Sequence, residues 1–201
     1  MDDHLVGVLS NIGIISFVAL SAYVLLLAGE VSFGQQAFFA IGAYGAGMAS
    51  AMLRWPLAPA LCLGALVGAM AAVVVGRATL RLTGLYFSMA TLAFAEMVRI
   101  AFEIFALQVD IDGGPVGPNG PDGFGGIRYL FENEITSIQY LCAIYALLAI
   151  VLVAFFMLER SRAGRMLRQA GTDAMLAELQ GVHVVRVRLV AAAAAGALAG
   201  L

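Results

Sequence analysis

The chain has 201 residues, of which 62% are hydrophobic and only 12% are charged, whereas a soluble domain carries about 25% charged residues. This composition excludes most water-soluble folds. The net charge of -2 argues against a nucleic-acid-binding protein, which needs a basic surface. All eleven basic residues are arginines, so the chain has no phosphate-binding loop ending in Gly-Lys-Ser/Thr, and any use of ATP is expected in another chain.

Segments poor in charge predict an all-α fold, a polytopic membrane helix bundle with five full transmembrane helices and the start of a sixth, because a spanning helix needs roughly 20 apolar residues. All of them belong to a single transmembrane domain, residues 1–201. The first segment follows two aspartates rather than a basic stretch, so we interpret it as a retained span and not as a signal peptide. The predicted spans are residues 5–28, 31–53, 55–76, 83–106, 135–158 and, incompletely, 189–201.

The placement of arginines predicts the orientation, because cytoplasmic loops are enriched in basic residues. Alternating the spans leaves Arg54 and Arg128 on one side and Arg99 inside a span. The opposite side is predicted to be cytoplasmic, which puts the N-terminus outside; we therefore expect a helix to be missing before the first span and the chain to stop inside the sixth. The cytoplasmic side carries Arg77, Arg81, Arg160, Arg162, Arg165, Arg168, Arg186 and Arg188.

Cysteines and histidines predict neither a metal site nor an enzyme. Cys62 and Cys142 lie far apart in apolar runs, and His4 and His183 have no ligand partner at metal-binding spacing. An intramembrane enzyme would need an acid pair or a nucleophile with a histidine, which the spans do not offer. We expect no catalytic residue, no metal and no cofactor.

The region of the second span contains two features of small or polar residues. Gly42 and Gly47 belong to a stripe of small residues at helical spacing, which predicts close packing of helices. The segment before the span fits a simple cytoplasmic turn or a broken helix whose free backbone groups contact a transported substrate, and its position favours the turn. That segment contains Gly29, Ser32, Gly34 and Gln35.

The fourth span carries three charged residues, Glu96, Arg99 and Glu103. Their spacing of three and four places them on one face of a helix. Ionisable residues at membrane depth usually face a bundle interior or a water-filled cavity, which indicates function. A mutually neutralising Glu-Arg pair that only fixes helix packing explains the pattern equally well.

The two long loops differ in character. The outer loop, residues 107–134, is so rich in Gly and Pro between 113 and 126 that we expect neither helix nor regular strand there. The inner loop, residues 159–188, is basic and amphipathic, and its pattern alone slightly favours a helix on anionic lipid. The outer loop is also acidic, typical of a solvated turn or of a docking surface for an external partner, through Asp110, Asp112, Asp122, Glu132 and Glu134.

The inner loop is predicted to form two short helices. Gly171 breaks the first helix, and Thr172 caps the second, with Asp173 in its first turn. Gly181 stands where a residue with left-handed backbone would end the second helix.

Three segments together resemble a known family. Residues 28–44 read AGEVSFGQQAFFAIGAY, residues 82–99 read LTGLYFSMATLAFAEMVR, and residues 161–168 read SRAGRMLR, followed by Glu178, Gly181 and Arg186. In this order and spacing they resemble the LivM-type permease of branched-chain amino acid ABC importers, from about residue 4 to residue 201. Relatives continue through further spans, so the resemblance implies a truncated chain.

The resemblance implies a multi-pass permease subunit of the bacterial inner membrane, which is not itself an enzyme. Its implied partners are a second homologous permease, two cytoplasmic ATP-binding subunits, a periplasmic binding protein that delivers leucine, isoleucine or valine, and membrane lipid. The inner loop then becomes an ATPase-coupling loop, which replaces the lipid-surface interpretation. Its site residues are Arg162, Arg165, Arg168, Asp173, Glu178, Gly181 and Arg186.

The chain departs from the family pattern in the coupling loop. Docking helices in ABC importers often read Glu-Ala-Ala, three residues and then Gly, whereas Met175, Leu176 and Ala177 precede Gly181 here. A permease for urea or short amides and a non-transporting truncated remnant remain alternatives. For Glu96 and Arg99 we expect a role in packing around the pathway rather than in binding substrate, since an apolar side chain must pass and each charge satisfies the other.

Overall fold

The computed structural model describes residues 3–79, 82, 84–111, 114–125 and 136–201. This part of the chain is largely helical, and four of its helices are long and apolar enough to cross a membrane. The coarse prediction of an all-α membrane helix bundle is therefore confirmed. The first five helices are α1 (Asp3–Leu27), α2 (Gln35–Ala51), α3 (Leu57–Thr79), α4 (Leu85–Ile104) and α5 (Ser137–Arg160). Three more follow, α6 (Arg162–Thr172), α7 (Ala174–Leu179) and α8 (Val184–Ala199).

The four spanning candidates are α1, α3, α4 and α5, while α2 and α8 are shorter. The 17 residues of α2 rise about 26 Å, a little less than the hydrocarbon core of a bilayer. This helix begins at Gln35 rather than near residue 31, because the residues before it bond to α4 instead of continuing the helix. The last helix begins at Val184 rather than at residue 189. The predicted count of five spans and a partial sixth stays a prediction.

The helices α2, α3 and α8 pack through glycines. A Cβ on Gly64 would lie 2.6 Å from the carbonyl oxygen of Gly200, and one on Gly68 would lie 2.5 Å from that of Gly196. On α2, a Cβ on Gly42 would meet the same Gly200, 2.7 Å from its oxygen. Backbones therefore touch where side chains would normally intervene, which maximises dispersion contacts between helices in a membrane.

A second packing centre joins α1, α6 and α8. Ser21 on α1 is fully buried and donates a hydrogen bond to the carbonyl oxygen of Ala195 on α8, 2.7 Å away. Nearer the start of α1, a Cβ on Gly13 would meet Ile144 of α5. The buried apolar residues of this centre are Val24, Leu25, Ala28, Leu167, Ala191, Ala192 and Ala195.

The outer loop contains a small antiparallel sheet, which contradicts the expectation that residues 113–126 form no regular strand. Its order is β1-β2-β3, with β1 at Val109–Ile111, β2 at Gly114–Pro118 and β3 at Phe124–Gly125. The glycines permit this because Gly120 and Gly123, between β2 and β3, adopt positive φ and turn the chain from one strand to the next. Val116 and Pro118 are buried on the adjoining helices.

Candidate functional site at the junction of α1 and α2

Residues 28–34, which we call the junction segment, connect α1 to α2 and bond to α4. The hydroxyl of Ser88 donates to the carbonyl oxygen of Val31 at 2.7 Å. The backbone N–H of Phe33 donates to Oγ1 of Thr91 at 3.1 Å. The segment is thus a non-helical connection, and it is fixed to the first turns of α4.

Gly29 brings the junction segment against the end of α6. Its φ is +81°, and a Cβ built on it would lie 2.8 Å from the Cα of Gly171. A Cβ on Gly171 would in turn collide with the carbonyl oxygen of Leu27. Both positions therefore need glycine, one for its backbone conformation and both for the close approach. The pair connects α6 to the end of α1.

The next residue, Glu30, forms a buried ion pair with Arg188 of α8. Nη1 of Arg188 lies 2.7 Å from Oε1 of Glu30, and the two side chains are only 13% and 1% exposed. Among the described residues, Oε2 of Glu30 and Nε of Arg188 have no hydrogen-bond partner, and neither has the buried side-chain amide of Gln35. The junction segment thus contains charge and unused hydrogen-bonding capacity inside the protein.

Burial raises the pKa of the Glu30 carboxyl above its ordinary value, because desolvation disfavours the charged form. The positive charge of Arg188 and a hydrogen bond from the Gly84 backbone act in the opposite direction without cancelling this effect. The carboxyl therefore takes up a proton more readily than an exposed glutamate does.

The caps of α6 and α7 explain why two helices form in the inner loop. Oγ of Ser161 accepts a hydrogen bond from the N–H of Gly164 at 3.3 Å and begins α6. Oδ1 of Asp173 accepts from the N–H groups of Met175 and Leu176 at 2.9 and 3.0 Å. The prediction of Thr172 as the cap was wrong, because α6 continues through Gly171 to Thr172, whose hydroxyl donates to the carbonyl of Arg168.

Gly181 lies after α7 with φ +84°, the left-handed conformation predicted for it. Beside it is an open depression of about 550 Å³, whose lining includes Glu178, His183 and Arg186. The exposed surface of α7 is apolar, since Met175, Leu176 and Leu179 are 76%, 56% and 77% exposed. Such a surface beside charged residues is typical of a docking site for another protein.

The arginines of α6 point away from its buried face. Nη2 of Arg168 pairs with Oε1 of Glu159 on α5 at 2.9 Å, and Nη1 of Arg165 donates to the carbonyl of Arg160 at 3.2 Å. Arg162 is exposed. The buried face of α6 consists of Gly164, Leu167 and Ala170. The structure therefore leaves the basic side of the inner loop available for a partner.

Arg99 of α4 contacts both Glu96 and Glu103, which lie on the same face of the helix as the spacing predicted. Nε of Arg99 donates to Oε1 of Glu96 at 3.0 Å, and Nη1 of Arg99 pairs with Glu103. All three side chains are about half exposed, at 55%, 53% and 48% in chain order. A charged face of this kind on a spanning helix is costly against lipid.

Several predicted residues lie outside the described residues or outside this site. The first group consists of Asp112, Glu132, Glu134, Arg81 and Arg128.

Other predicted residues are described but lie outside this site. Asp122 accepts a hydrogen bond from Asn119 at 2.9 Å. A Cβ on Gly34 would lie at an ordinary 3.5 Å from the Cβ of Thr91, whereas one on Gly47 would lie only 3.3 Å from the ring of Phe124. The described residues contain no cluster of three metal-ligating side chains.

The sequence reasoning missed the pair of Glu30 and Arg188. A signal existed, because Glu30 is the single Asp, Glu, Lys or Arg between positions 4 and 53. An isolated charge between two apolar spans requires either water or a partner. Nothing in the sequence indicated that the partner is Arg188, since the contact depends on how α8 folds back on α1.

The four helices that are long and apolar enough to cross a membrane indicate a multi-pass membrane protein. The chain matches the family model described as branched-chain amino acid transport system / permease component over residues 4–201, and it belongs to that family. The resemblance inferred from the three sequence segments is therefore confirmed. A comparison with curated proteins gave no match, and neither did a comparison with solved structures. The family assigns the chain to the membrane part of ABC transport, with ATP-binding and substrate-binding components as partners.

Proposed function

We propose that the chain is the membrane-spanning permease subunit of an ATP-driven importer of leucine, isoleucine and valine in the bacterial inner membrane. The observation that carries the proposal is the family match over residues 4–201. In this function a second homologous permease completes the pathway, and two ATP-binding subunits in the cytoplasm supply the energy. A periplasmic binding protein delivers the substrate.

The inner loop supports the coupling part of this proposal. The helix α7 presents Met175, Leu176 and Leu179 to solvent beside the exposed arginines of α6. An apolar ridge surrounded by charges suits insertion into a cleft of an ATP-binding subunit, where burial supplies affinity and the charges fix the orientation. The ATPase-coupling residues are Arg162, Arg165, Arg168, Asp173, Glu178, Gly181 and Arg186.

The charged face of α4 supports a pathway between two permeases. Glu96, Arg99 and Glu103 are half exposed in the single chain, so they need either a protein partner or water beside them in the membrane. We place them around the translocation path, where the ion pairs fix helix packing while the substrate side chain passes. The sheet of the outer loop, with Asp122 in the turn between β2 and β3, then faces the periplasmic binding protein.

The test is copurification followed by transport. The tagged chain is expressed with its candidate partner permease and ATP-binding subunits, and the detergent-solubilised complex is assayed for ATP hydrolysis. After reconstitution with the binding protein, uptake of leucine, valine and urea is compared. ATP-dependent uptake of the branched-chain amino acids is expected. Uptake of urea alone would replace the substrate assignment, and failure to retrieve the ATP-binding subunits would contradict the coupling role.

Two variants test the coupling loop itself. Arg165→Glu reverses a charge on the proposed docking surface, and Gly181→Pro is incompatible with the observed φ of +84°. Both are expected to insert normally but to lose ATP-dependent uptake. Arg77→Glu, an exposed charge reversal at the end of α3, is the matched control. Normal uptake by both coupling-loop variants would refute the assignment.

A further inference from the structure

The short helix α7 lies between two residues, Gly171 and Arg188, that contact the neighbouring residues Gly29 and Glu30. Before α7, Gly171 contacts Gly29. After α7, Arg188 forms the buried pair with Glu30. Because Gly29 and Glu30 are adjacent in the chain, the two connections of α7 to the bundle meet at one peptide unit of the junction segment.

The parts of the inner loop are packed well enough to move together. Ala170 of α6, Ala177 of α7 and Val184 of α8 form one buried cluster. Arg188 lies one helical turn after Val184, so its position follows that of the cluster. If a partner displaced α7, the shared cluster would therefore also displace Arg188 and Gly171.

The junction segment is in turn hydrogen-bonded to α4. Val31, next to Glu30, accepts the hydrogen bond of Ser88, and Phe33 donates to Thr91. Both hydroxyl residues are buried. A continuous set of contacts thus runs from α7 through residues 29–33 to the helix that carries the charged face.

The energetics of the Glu30–Arg188 pair argue against a purely stabilising role. Desolvating two charges offsets much of their attraction, so a buried ion pair is seldom more stabilising than well-packed apolar residues. Here Oε2 of Glu30 and Nε of Arg188 find no hydrogen-bond partner among the described residues. In some proteins such a pair instead specifies the relative position of the elements that carry it.

We propose that Glu30 and Arg188 are positioning residues that transmit the movement of the coupling helices to α4. The inference deepens the proposed function and rests on it, since the movement originates in the ATP-binding subunits. Neither residue touches substrate in this assignment. The pair sets the register between α8 and the junction segment, and the contact of Gly29 with Gly171 connects the end of α6 to the same segment.

The first test measures substrate taken up per ATP hydrolysed in the reconstituted complex. Glu30→Gln and Arg188→Gln are each expected to retain the ATP-binding subunits but to lower this ratio by about tenfold, within the range typical of coupling between two sites. The exchange variant Glu30→Arg with Arg188→Glu should recover part of it. Arg77→Gln, at the same end of the bundle, should leave the ratio unchanged. An unchanged ratio in both single variants would overturn the proposal.

The second test needs no transport and separates this proposal from the proposed function. Nitroxide labels at the exposed positions of Leu179→Cys and Tyr86→Cys, with Cys62 and Cys142 replaced by Ser, report the distance from α7 to α4. In the isolated chain, Glu30→Gln should broaden the distribution of this distance, whereas Arg77→Gln should not. A distribution as narrow as that of the parent would overturn the positioning role. Loss of the ATP-binding subunits from the unaltered chain would instead count against the proposed function.

Discussion

Gly29 and Gly171 face each other with no side chain between them, so that a Cβ on Gly29 would lie 2.8 Å from the Cα of Gly171. The contact joins the end of α1 to the end of α6 by backbone alone. Backbone atoms cannot rotate away from an added methyl group as a side chain can, so the contact tolerates no enlargement at either position.

The first prediction concerns Gly171→Ala. The new methyl group would collide with the carbonyl oxygen of Leu27 and separate α6 from α1, which should lower the free energy of unfolding by about 1–3 kcal/mol. Gly7→Ala on α1 is the control, because a Cβ there meets nothing within 4 Å. Thermal unfolding in detergent, followed by circular dichroism, measures the unfolding midpoint of each variant. Equal midpoints for the two variants would show that the contact can relax.

The second prediction compares two glycines of α2. Gly42→Ala must push against the backbone of Gly200, whereas a Cβ on Gly45 would lie at an ordinary 3.9 Å from Val67. We expect Gly42→Ala to destabilise the chain, and Gly45→Ala to be neutral or slightly stabilising because Ala favours helix. Thermal unfolding in detergent compares the unfolding midpoints of the two variants. If Gly45→Ala were the more damaging variant, the arrangement of α2, α3 and α8 would be wrong.

The third prediction concerns the cap of α7. Asp173→Ala removes the acceptor for the N–H groups of Met175 and Leu176, which typically costs about 1 kcal/mol. Asp173→Asn keeps an acceptor and should recover most of the loss. Hydrogen exchange of the amides of α7 reports the change locally. Exchange in Asp173→Ala as slow as in the parent would mean that packing alone maintains the helix.

The fourth prediction is a pH dependence carried by Glu30. Because burial raises the pKa of this carboxyl above its ordinary 4.5, the folded chain binds a proton more tightly than the unfolded chain. The resulting stability is fully present below the ordinary pKa and is lost as the pH rises through the raised value. The unfolding midpoint of the parent relative to Glu30→Gln should therefore increase as the pH falls. A difference that grows with rising pH would contradict this sign.

The fifth prediction concerns the charged face of α4. Glu96→Gln weakens the pair with Arg99, but Glu103 still pairs with that arginine. We expect total uptake by the complex to fall moderately while the relative uptake of leucine, isoleucine and valine stays the same, since the residue fixes packing and does not bind substrate. Competition assays in proteoliposomes measure the preference. A changed preference with normal assembly would identify Glu96 as part of the substrate site.

Local chemistry in the sequence was sufficient to predict most of the helices and some of the site. Long apolar runs gave α1, α3, α4 and α5, and the spacing of Glu96, Arg99 and Glu103 gave their mutual contact. The left-handed Gly181 followed from its place after a short helix. Each of these depends on residues within a few positions of one another.

The missed features depend on contacts between distant segments. Glu30 contacts Arg188 only because α8 folds back beside α1. The Gly/Pro-rich outer loop forms strands where β2, with the buried Val116 and Pro118, packs on α2. The cap of α7 was misplaced by one residue, since Gly171 stays helical when its backbone is packed against Gly29. Periodicity and composition do not contain this tertiary information.

The helices α2 and α4 are fastened to each other at three levels. The junction segment binds Ser88 and Thr91 at one end, Phe38 lies 5.8 Å from Phe94 in the middle, and Tyr44 stacks on Phe102 at 4.1 Å towards the other end. Because these contacts lie along much of both helices, a displacement of α4 would also displace α2 and, through the contact of Tyr44 with Phe124, the small sheet of the outer loop.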